Sequence, residues 1–302
     1  MAFHVPDESY DLLADVLGRF RVLLKKQVIT GLDEAQLDRW LGNFKTEEEQ
    51  YFAACVLGRL IYRSNAMIDS AIDHLLHCTL PTYLRQHHLF PHDDIESFLA
   101  ALSAQNRGYH IRFVGVDGSK DSDTGKSGAL IIRRYKQHAG INKLSTCRPD
   151  KLNELPGHVS CLVFVDDMLG TGKQFEDFAK ELGLAEKKGL RIFYCPLIAH
   201  AKGLERLRDT CPWLTVLPIE IFDERHQFFC ESADSPGLWK VDESNTVEDA
   251  RTFYDALALK HGLPATKKFG LDLLLGFEHS TPNNSLSLLW ADSDTWTPLL
   301  TR

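Results

Sequence analysis

Leu162-Val-Phe-Val-Asp-Asp-Met-Leu-Gly-Thr-Gly-Lys-Gln174 is the stretch from which the rest of the chain is best read. Four consecutive apolar residues, Leu162–Val165, have the character of a buried parallel strand and deliver Asp166 and Asp167 to its carboxyl end. Gly170 and Gly172 then let backbone N–H groups converge on one point, and the helix that follows adds the positive end of its dipole. Such a turn is an anion nest suited to a phosphate. Thr171 adds a hydroxyl donor, and Lys173 and Gln174 complete the turn. The two carboxylates are acceptors for adjacent ribose hydroxyls, directly or through hydrated Mg²⁺. The stretch therefore predicts a strand, turn and helix that hold a ribose 5-phosphate.

The flanking segments alternate between strand and helix patterns. Upstream, Ile111–Val116 is a short apolar strand, followed by a polar loop, Asp117–Gly128, and a helix over Ala129–His138. Downstream, Phe175–Leu182 reads as helix, Leu190–Ile198 as strand, Lys202–Thr210 as helix and Leu214–Phe222 as strand. This alternation implies parallel pairing and right-handed crossovers. The first hundred residues read as helical. Leu12, Leu13, Val16, Leu17, Phe20, Leu23 and Leu24 make one apolar stripe, and Leu37, Trp40, Leu41 and Phe44 continue it on a short second helix. Thr46-Glu-Glu-Glu49 has capping-box spacing ahead of Phe52, Val56, Leu57, Leu60 and Ile61. Further helices start near Asn65, ending by Pro81, and cover Asp93–Leu102. Beyond Ser232 the pattern is mixed, with one helix over Val247–His261. The expected fold is α/β: a helical region over residues 1–105, a parallel-sheet core over 106–232 and a C-terminal cap over 233–302.

The chain has 302 residues, 44% hydrophobic and 25% charged, the composition of an ordinary globular protein. Its formal net charge of −8 argues against broad, non-specific binding to nucleic acid. Seven scattered cysteines with no Cys-x-x-Cys pair read as reduced intracellular thiols, which sets aside a zinc knuckle or a redox motif. No apolar run approaches the ~20 residues of a membrane span. The opening MAFHVPDESYDLL lacks the basic and apolar regions of a secretory signal. The expected setting is the cytoplasm, with no membrane partner.

Ligands of parallel sheets bind beyond the carboxyl ends of the strands, which brings the Asp117–Gly128 loop beside the phosphate turn. Asp117 and Gly118 open that loop, and Lys126, Ser127 and Gly128 stand at a helix start, the strongest anion position. Lys120 taken alone reads better as solvated, as do Arg133 and Arg134 on the following helix. The tail carries a second polar cluster, Glu278-His-Ser-Thr-Pro-Asn-Asn284, followed by Leu286, Leu288, Leu289 and Trp290. His279, Asn283 and Asn284 beside Trp290 suit a base or another planar group. The alternative is a turn with apolar anchors that tie down the C-terminus.

Leu162–Gly172 resembles the signature of the phosphoribosyltransferases, in which two acidic residues precede a Thr-Thr-Gly-x-Thr-like phosphate loop. Gly170 stands where Ser or Thr is usual, and Gln174 where a closing Thr is usual. A wider set of motifs is more telling in its order. Trp40-Leu-x-x-Phe44, Asp117…Lys126-Ser-Gly128, Phe164–Gln174 and His279-x-Thr-Pro-Asn-Asn284…Trp290…Trp296-x-Pro-Leu299 follow one another along the chain. In this the chain is similar to the phosphoribosyltransferase-like effector family of prokaryotic conflict systems, found with retron reverse transcriptases and phage-defence modules. That family's closing Leu-Phe-Pro-Arg is here Leu299-Leu-Thr-Arg302.

The resemblance implies a phosphoribosyltransferase-like sheet, with phosphoribosyl pyrophosphate or a nucleotide as substrate, Mg²⁺ as cofactor, and transfer or cleavage at the anomeric carbon. It implies that Asp166 and Asp167 hold the ribose hydroxyls and meet the metal through water. Lys126 and its loop would take the departing diphosphate. It also implies a regulatory partner, such as a reverse transcriptase–nucleic acid complex or a helix-turn-helix protein. The flexible basic hood usual in such enzymes is reduced here to Gly140–His158, with Lys143, Arg148 and Lys151.

Two other readings compete. Gly125-Lys-Ser127 ends like a P-loop, but Lys120 stands where the first glycine of Gly-x4-Gly-Lys-Ser belongs. The other is a catalytically inactive module that kept the fold as a nucleotide sensor or scaffold. Against it stands the acidic pair, since adjacent carboxylates near a phosphate are costly unless they serve a ligand or metal.

Overall fold

The computed structural model describes residues 3–116, 127–230, 239, 242–264 and 270–302, and the chain divides into two compact units. One unit comprises residues 1–67 and 223–302, the other residues 68–222. In the first unit, α1 (Ser9–Lys25) buries Val16, Phe20 and Leu24 of the expected stripe and leaves Leu12, at its first turn, exposed. Asp33 caps α2 (Glu34–Leu41) by accepting the Gln36 N–H at 2.7 Å. The predicted capping box forms at α3 (Glu47–Arg59). Thr46 accepts from the Glu49 N–H at 3.2 Å, and the Glu49 carboxylate accepts from the Thr46 N–H at 3.4 Å.

Leu60 and Ile61, expected to prolong that helix, leave it instead. Ile61–Arg63 is a strand, β1, paired in parallel with Leu275–Phe277 from the far end of the chain. Three residues are too few to display a period, and a partner so distant in sequence leaves no local signal.

α4 (Asn65–His74) carries the chain from residue 67 of the first unit into the second, and passes through a widened π turn at Leu75–Thr79 into α5 (Leu80–Gln86). The helical path thus continues through Pro81, where an end was expected. Pro81 sits in the first turn of α5, where its missing N–H costs nothing. Asp94 caps α6 (Ile95–Ser103). Then come β2 (Ile111–Gly115), α7 (Ser127–Gln137), β3 (Cys161–Leu169), α8 (Lys173–Glu181), β4 (Arg191–His200) and α9 (Ala201–Thr210). Two short strands follow, β5 (Thr215–Val216) and β6 (Glu220–Phe222).

All these strands pair in parallel, in the order β2-β3-β4-β5, with β6 also on β4. The single strand expected over Leu214–Phe222 therefore arrives in two pieces. Thr215 lies opposite Phe193 and Glu220 opposite Ile198, with Pro218 between them, which has no N–H for a ladder. Val114, Leu162, Phe164, Phe175, Phe178 and Tyr194 pack one face of this sheet. Within Gly140–His158, Thr146 pairs with Phe113 of β2 and the Cys147 N–H donates to the Phe113 carbonyl at 2.8 Å. This pairing shields a strand edge that would otherwise expose unpaired groups.

The chain then returns to the first unit. Thr246 caps α10 (Val247–Lys260), and β7 (Leu275–Phe277) supplies the partner of β1. Leu286, Leu288, Leu289, Trp296 and Leu299 join Trp40, Phe52 and Leu37 in this unit's core. Acidic and basic residues balance across residues 68–222, so the net charge of −8 falls on the first unit. Among the described residues no helix is long and apolar enough to cross a membrane.

Candidate functional site

The phosphate turn is built between β3 and α8. β3 is longer than expected, since its pairing with β4 continues through Asp166 opposite Pro196 to Leu169 opposite Ala199. The acidic pair thus lies within the strand. The turn then occupies Gly170–Gly172, and α8 begins at Lys173. Gly172 has φ of +81°, and a Cβ there would sit 3.1 Å from both the Gly203 carbonyl oxygen and Arg206 Cδ. Backbone conformation and space both require glycine. Gly203, on α9, presses from the other side: a Cβ on it would lie 2.3 Å from the Gly170 carbonyl oxygen. Sequence reasoning missed Gly203, whose one signal was a glycine inside a helical pattern.

The first N–H groups of α8 have no partner within the helix, an arrangement able to take an anion. Thr171 and Gly170 are half-buried, while Lys173 and Gln174 are exposed. The Lys173 ammonium pairs with Asp177 along α8, so an anion must compete for that side chain, though not for its N–H.

β2 runs beside β3 with Gly115 opposite Val165, and the Val116 N–H donates to the Val165 carbonyl at 3.1 Å. β2 and Val116 therefore end alongside Val165, the residue before Asp166. Gly128 has a packing reason of its own, for a Cβ there would lie 2.1 Å from the Val116 carbonyl oxygen. Only glycine lets the first turn of α7 rest on the end of β2. Asp117, Gly118, Lys126 and the side chain of Ser127 lie outside the described residues.

Asp166 and Asp167 are both buried, 2% and 6% exposed. Asp166 Oδ1 accepts the Asp167 N–H at 3.0 Å, and its Oδ2 accepts the Tyr194 hydroxyl at 3.1 Å. Tyr194 is stacked on Phe175, with ring centroids 4.1 Å apart at 15°. Burial, then the charge of Asp166, pushes its phenol well above the ordinary range, so it remains a hydrogen-bond donor. Nearby, buried Glu176 accepts from Lys180 Nζ at 3.0 Å and Arg206 Nε at 2.7 Å, tying α9 to α8. Those two hydrogen bonds hold its carboxyl below the usual range.

A family model described as PRTase-CE matches residues 37–302. The chain belongs to this family. Among solved structures, the PRTase-CE chain is similar to the orotate phosphoribosyltransferase from Aeropyrum pernix. The identity is 18%, over 41% of this chain and 67% of that one, with a TM-score of 0.24. No curated protein matches. The family and the all-parallel sheet make the fold phosphoribosyltransferase-like, as the Leu162–Gln174 stretch predicts.

The tail motif of this PRTase-CE chain belongs to the first unit. His279 stacks on Phe277, with centroids 5.3 Å apart. Asn283 is half-buried, while Asn284 is buried and its carbonyl accepts the Leu273 N–H at 3.0 Å. The Trp290 indole donates to the Ser285 carbonyl at 3.1 Å, and the Arg302 guanidinium lies 4.2 Å over its ring. Trp40 and Trp296 both donate to the Leu288 carbonyl, at 2.9 and 3.1 Å. Glu278 accepts the N–H of Asn65, a residue of the same unit, at 2.8 Å. Each of these is a role in holding the tail to its own unit.

Phosphoribosyltransferase-like chemistry implies Mg²⁺. Among the described residues no group of three or more His, Cys, Asp or Glu comes together as a metal cage. Asp166 and Asp167 are hard oxygen donors, and Mg²⁺ takes one or two carboxylates together with water and substrate phosphates. The pair fits a metal that arrives with a diphosphate.

Proposed function

We propose that the protein binds a ribose 5-phosphate, or its 1-diphosphate, and acts at the anomeric carbon of a nucleotide-type substrate. The observation that carries this is the left-handed Gly172 at the head of α8, directly after a strand bearing two buried, adjacent acids. In this reading the phosphate rests on Gly170, Thr171, Gly172, Lys173 and Gln174. Backbone donors dominate such a site, so Gly170 and Gln174 serve in place of the usual hydroxyl residues. Asp166 and Asp167 take the ribose hydroxyls. Their charge favours the positive sugar ring that develops as the bond from the anomeric carbon breaks and its electron pair leaves with the leaving group. Lys126, with Asp117, Gly118, Ser127 and Gly128, receives that group. Bound Mg²⁺ would supply neutralisation of a diphosphate held by the acidic pair.

The biological setting proposed is that of an effector in an anti-phage, retron-type defence module in the cytoplasm. A partner such as a reverse transcriptase–nucleic acid complex or a helix-turn-helix protein holds it in check. The order of the motifs from Trp40 to Leu299 supports this setting, and the balanced charge of residues 68–222 suits a small anionic ligand. Expression without partners, followed by mass spectrometry of nucleotide pools, tests the reading. Wild type is expected to arrest growth and shift the pools, and Asp166→Asn/Asp167→Asn to do neither. Identical growth and identical pools would leave the inactive scaffold as the better account.

A further inference from the structure

The bond between Tyr194 and Asp166 is not required by packing. The phenol ring lies in the cluster of Phe164 and Phe175 and is 1% exposed, an environment that a phenylalanine would fill equally well. Burying a hydroxyl is costly unless it is hydrogen-bonded, and this one donates to Asp166 Oδ2 at 3.1 Å. The sheet register explains how the two meet. Tyr194 lies opposite Phe164, and Asp166 lies two residues further along β3 on the same face, since alternate residues share a face. With Oδ1 occupied by the Asp167 N–H, the carboxylate is fixed at both corners. Its orientation is then set before any ligand arrives, which is how a preorganised site gains affinity.

We propose that Tyr194 is a positioning residue, whose hydroxyl holds the Asp166 carboxylate in the orientation that receives a ribose hydroxyl. This rests on reading Asp166 and Asp167 as the ribose ligands. The consequence is selective. A sugar phosphate needs both the nest at Gly170–Gln174 and the oriented acid, whereas inorganic phosphate needs only the nest.

Calorimetric titration of the full chain with ribose 5-phosphate and, separately, with inorganic phosphate tests this. Tyr194→Phe should weaken ribose 5-phosphate by about tenfold, the scale of one hydrogen bond to a charged group, while inorganic phosphate binds as before. Adding Tyr194→Phe to Asp166→Asn should cost no more than Asp166→Asn alone, because the hydroxyl acts only through that carboxylate. Equal loss for both probes would mean general damage to the unit and would overturn the proposal. So would a Tyr194→Phe protein that binds the sugar phosphate as tightly as wild type. A wild type that binds neither probe brings down the functional reading itself, and with it this inference. That outcome is recognisable before any variant is compared.

Discussion

Gly203 offers the cleanest single-residue perturbation of the phosphate turn, because it touches the turn from behind without belonging to it. The atom that a new Cβ would meet, 2.3 Å away, is the Gly170 carbonyl oxygen, a backbone atom that cannot swing aside. Gly203→Ala is therefore expected to displace the turn, costing about 1–3 kcal/mol in denaturant unfolding and removing ribose 5-phosphate binding. Retained affinity would show that the turn does not carry the ligand. Gly172 is a less selective position. Its φ of +81° and its 3.1 Å approaches mean that Gly172→Val loses stability along with the nest. Asp167→Asn, by contrast, conserves shape and removes a charge. It should give a folded protein by circular dichroism whose ribose 5-phosphate affinity falls at least about tenfold.

Among the elements, α3 and α8 owe their ends to different physics. The α3 capping box satisfies two N–H groups with Thr46 and Glu49, so Thr46→Ala should cost about 1 kcal/mol of stability by thermal melting. At α8, the Glu176 carboxyl is held below its ordinary 4.5 by hydrogen bonds from Lys180 and Arg206. A carboxyl depressed in the folded state stabilises the protein at pH above its unfolded value. That stabilisation is lost as pH falls through the folded value. The bond between α8 and α9 should therefore weaken in acid. Urea midpoints measured from about pH 5 down to about pH 3 should fall more steeply for wild type than for Glu176→Gln. Parallel slopes would mean that Glu176 contributes nothing to the acid sensitivity.

On the scale of the whole molecule, the first unit is closed by residues from both ends of the chain. β1 pairs with β7, Trp40 and Trp296 share the Leu288 carbonyl, and Trp296 is 1% exposed. Trp296→Ala should cost about 3–5 kcal/mol in thermal or denaturant unfolding. Deletion from Glu278 onward leaves β7 itself in place, yet takes all the core contributed by Leu286, Leu288, Leu289, Trp296 and Leu299. Such a truncation is expected to unfold the first unit. A ligand role for His279, Asn283, Asn284 or Trp290 is thus better tested by point substitution.

The strands and helices from Ile111 to Thr210 were legible in sequence because their signals are local: apolar runs, glycine turns and helical periods lie in successive residues. The acidic pair and the double-glycine turn were legible for the same reason, as was the capping box at Thr46. Tertiary structure alone decided which distant groups meet. It made a strand of Ile61–Arg63, divided Leu214–Phe222 between two stretches of β4, and carried the helix through Pro81. It set Gly203 against the phosphate turn and Tyr194 against Asp166. The physical reason is that periodicity records which face of an element is buried. What that face is buried against depends on the register between strands and the close approach of backbones far apart in the chain.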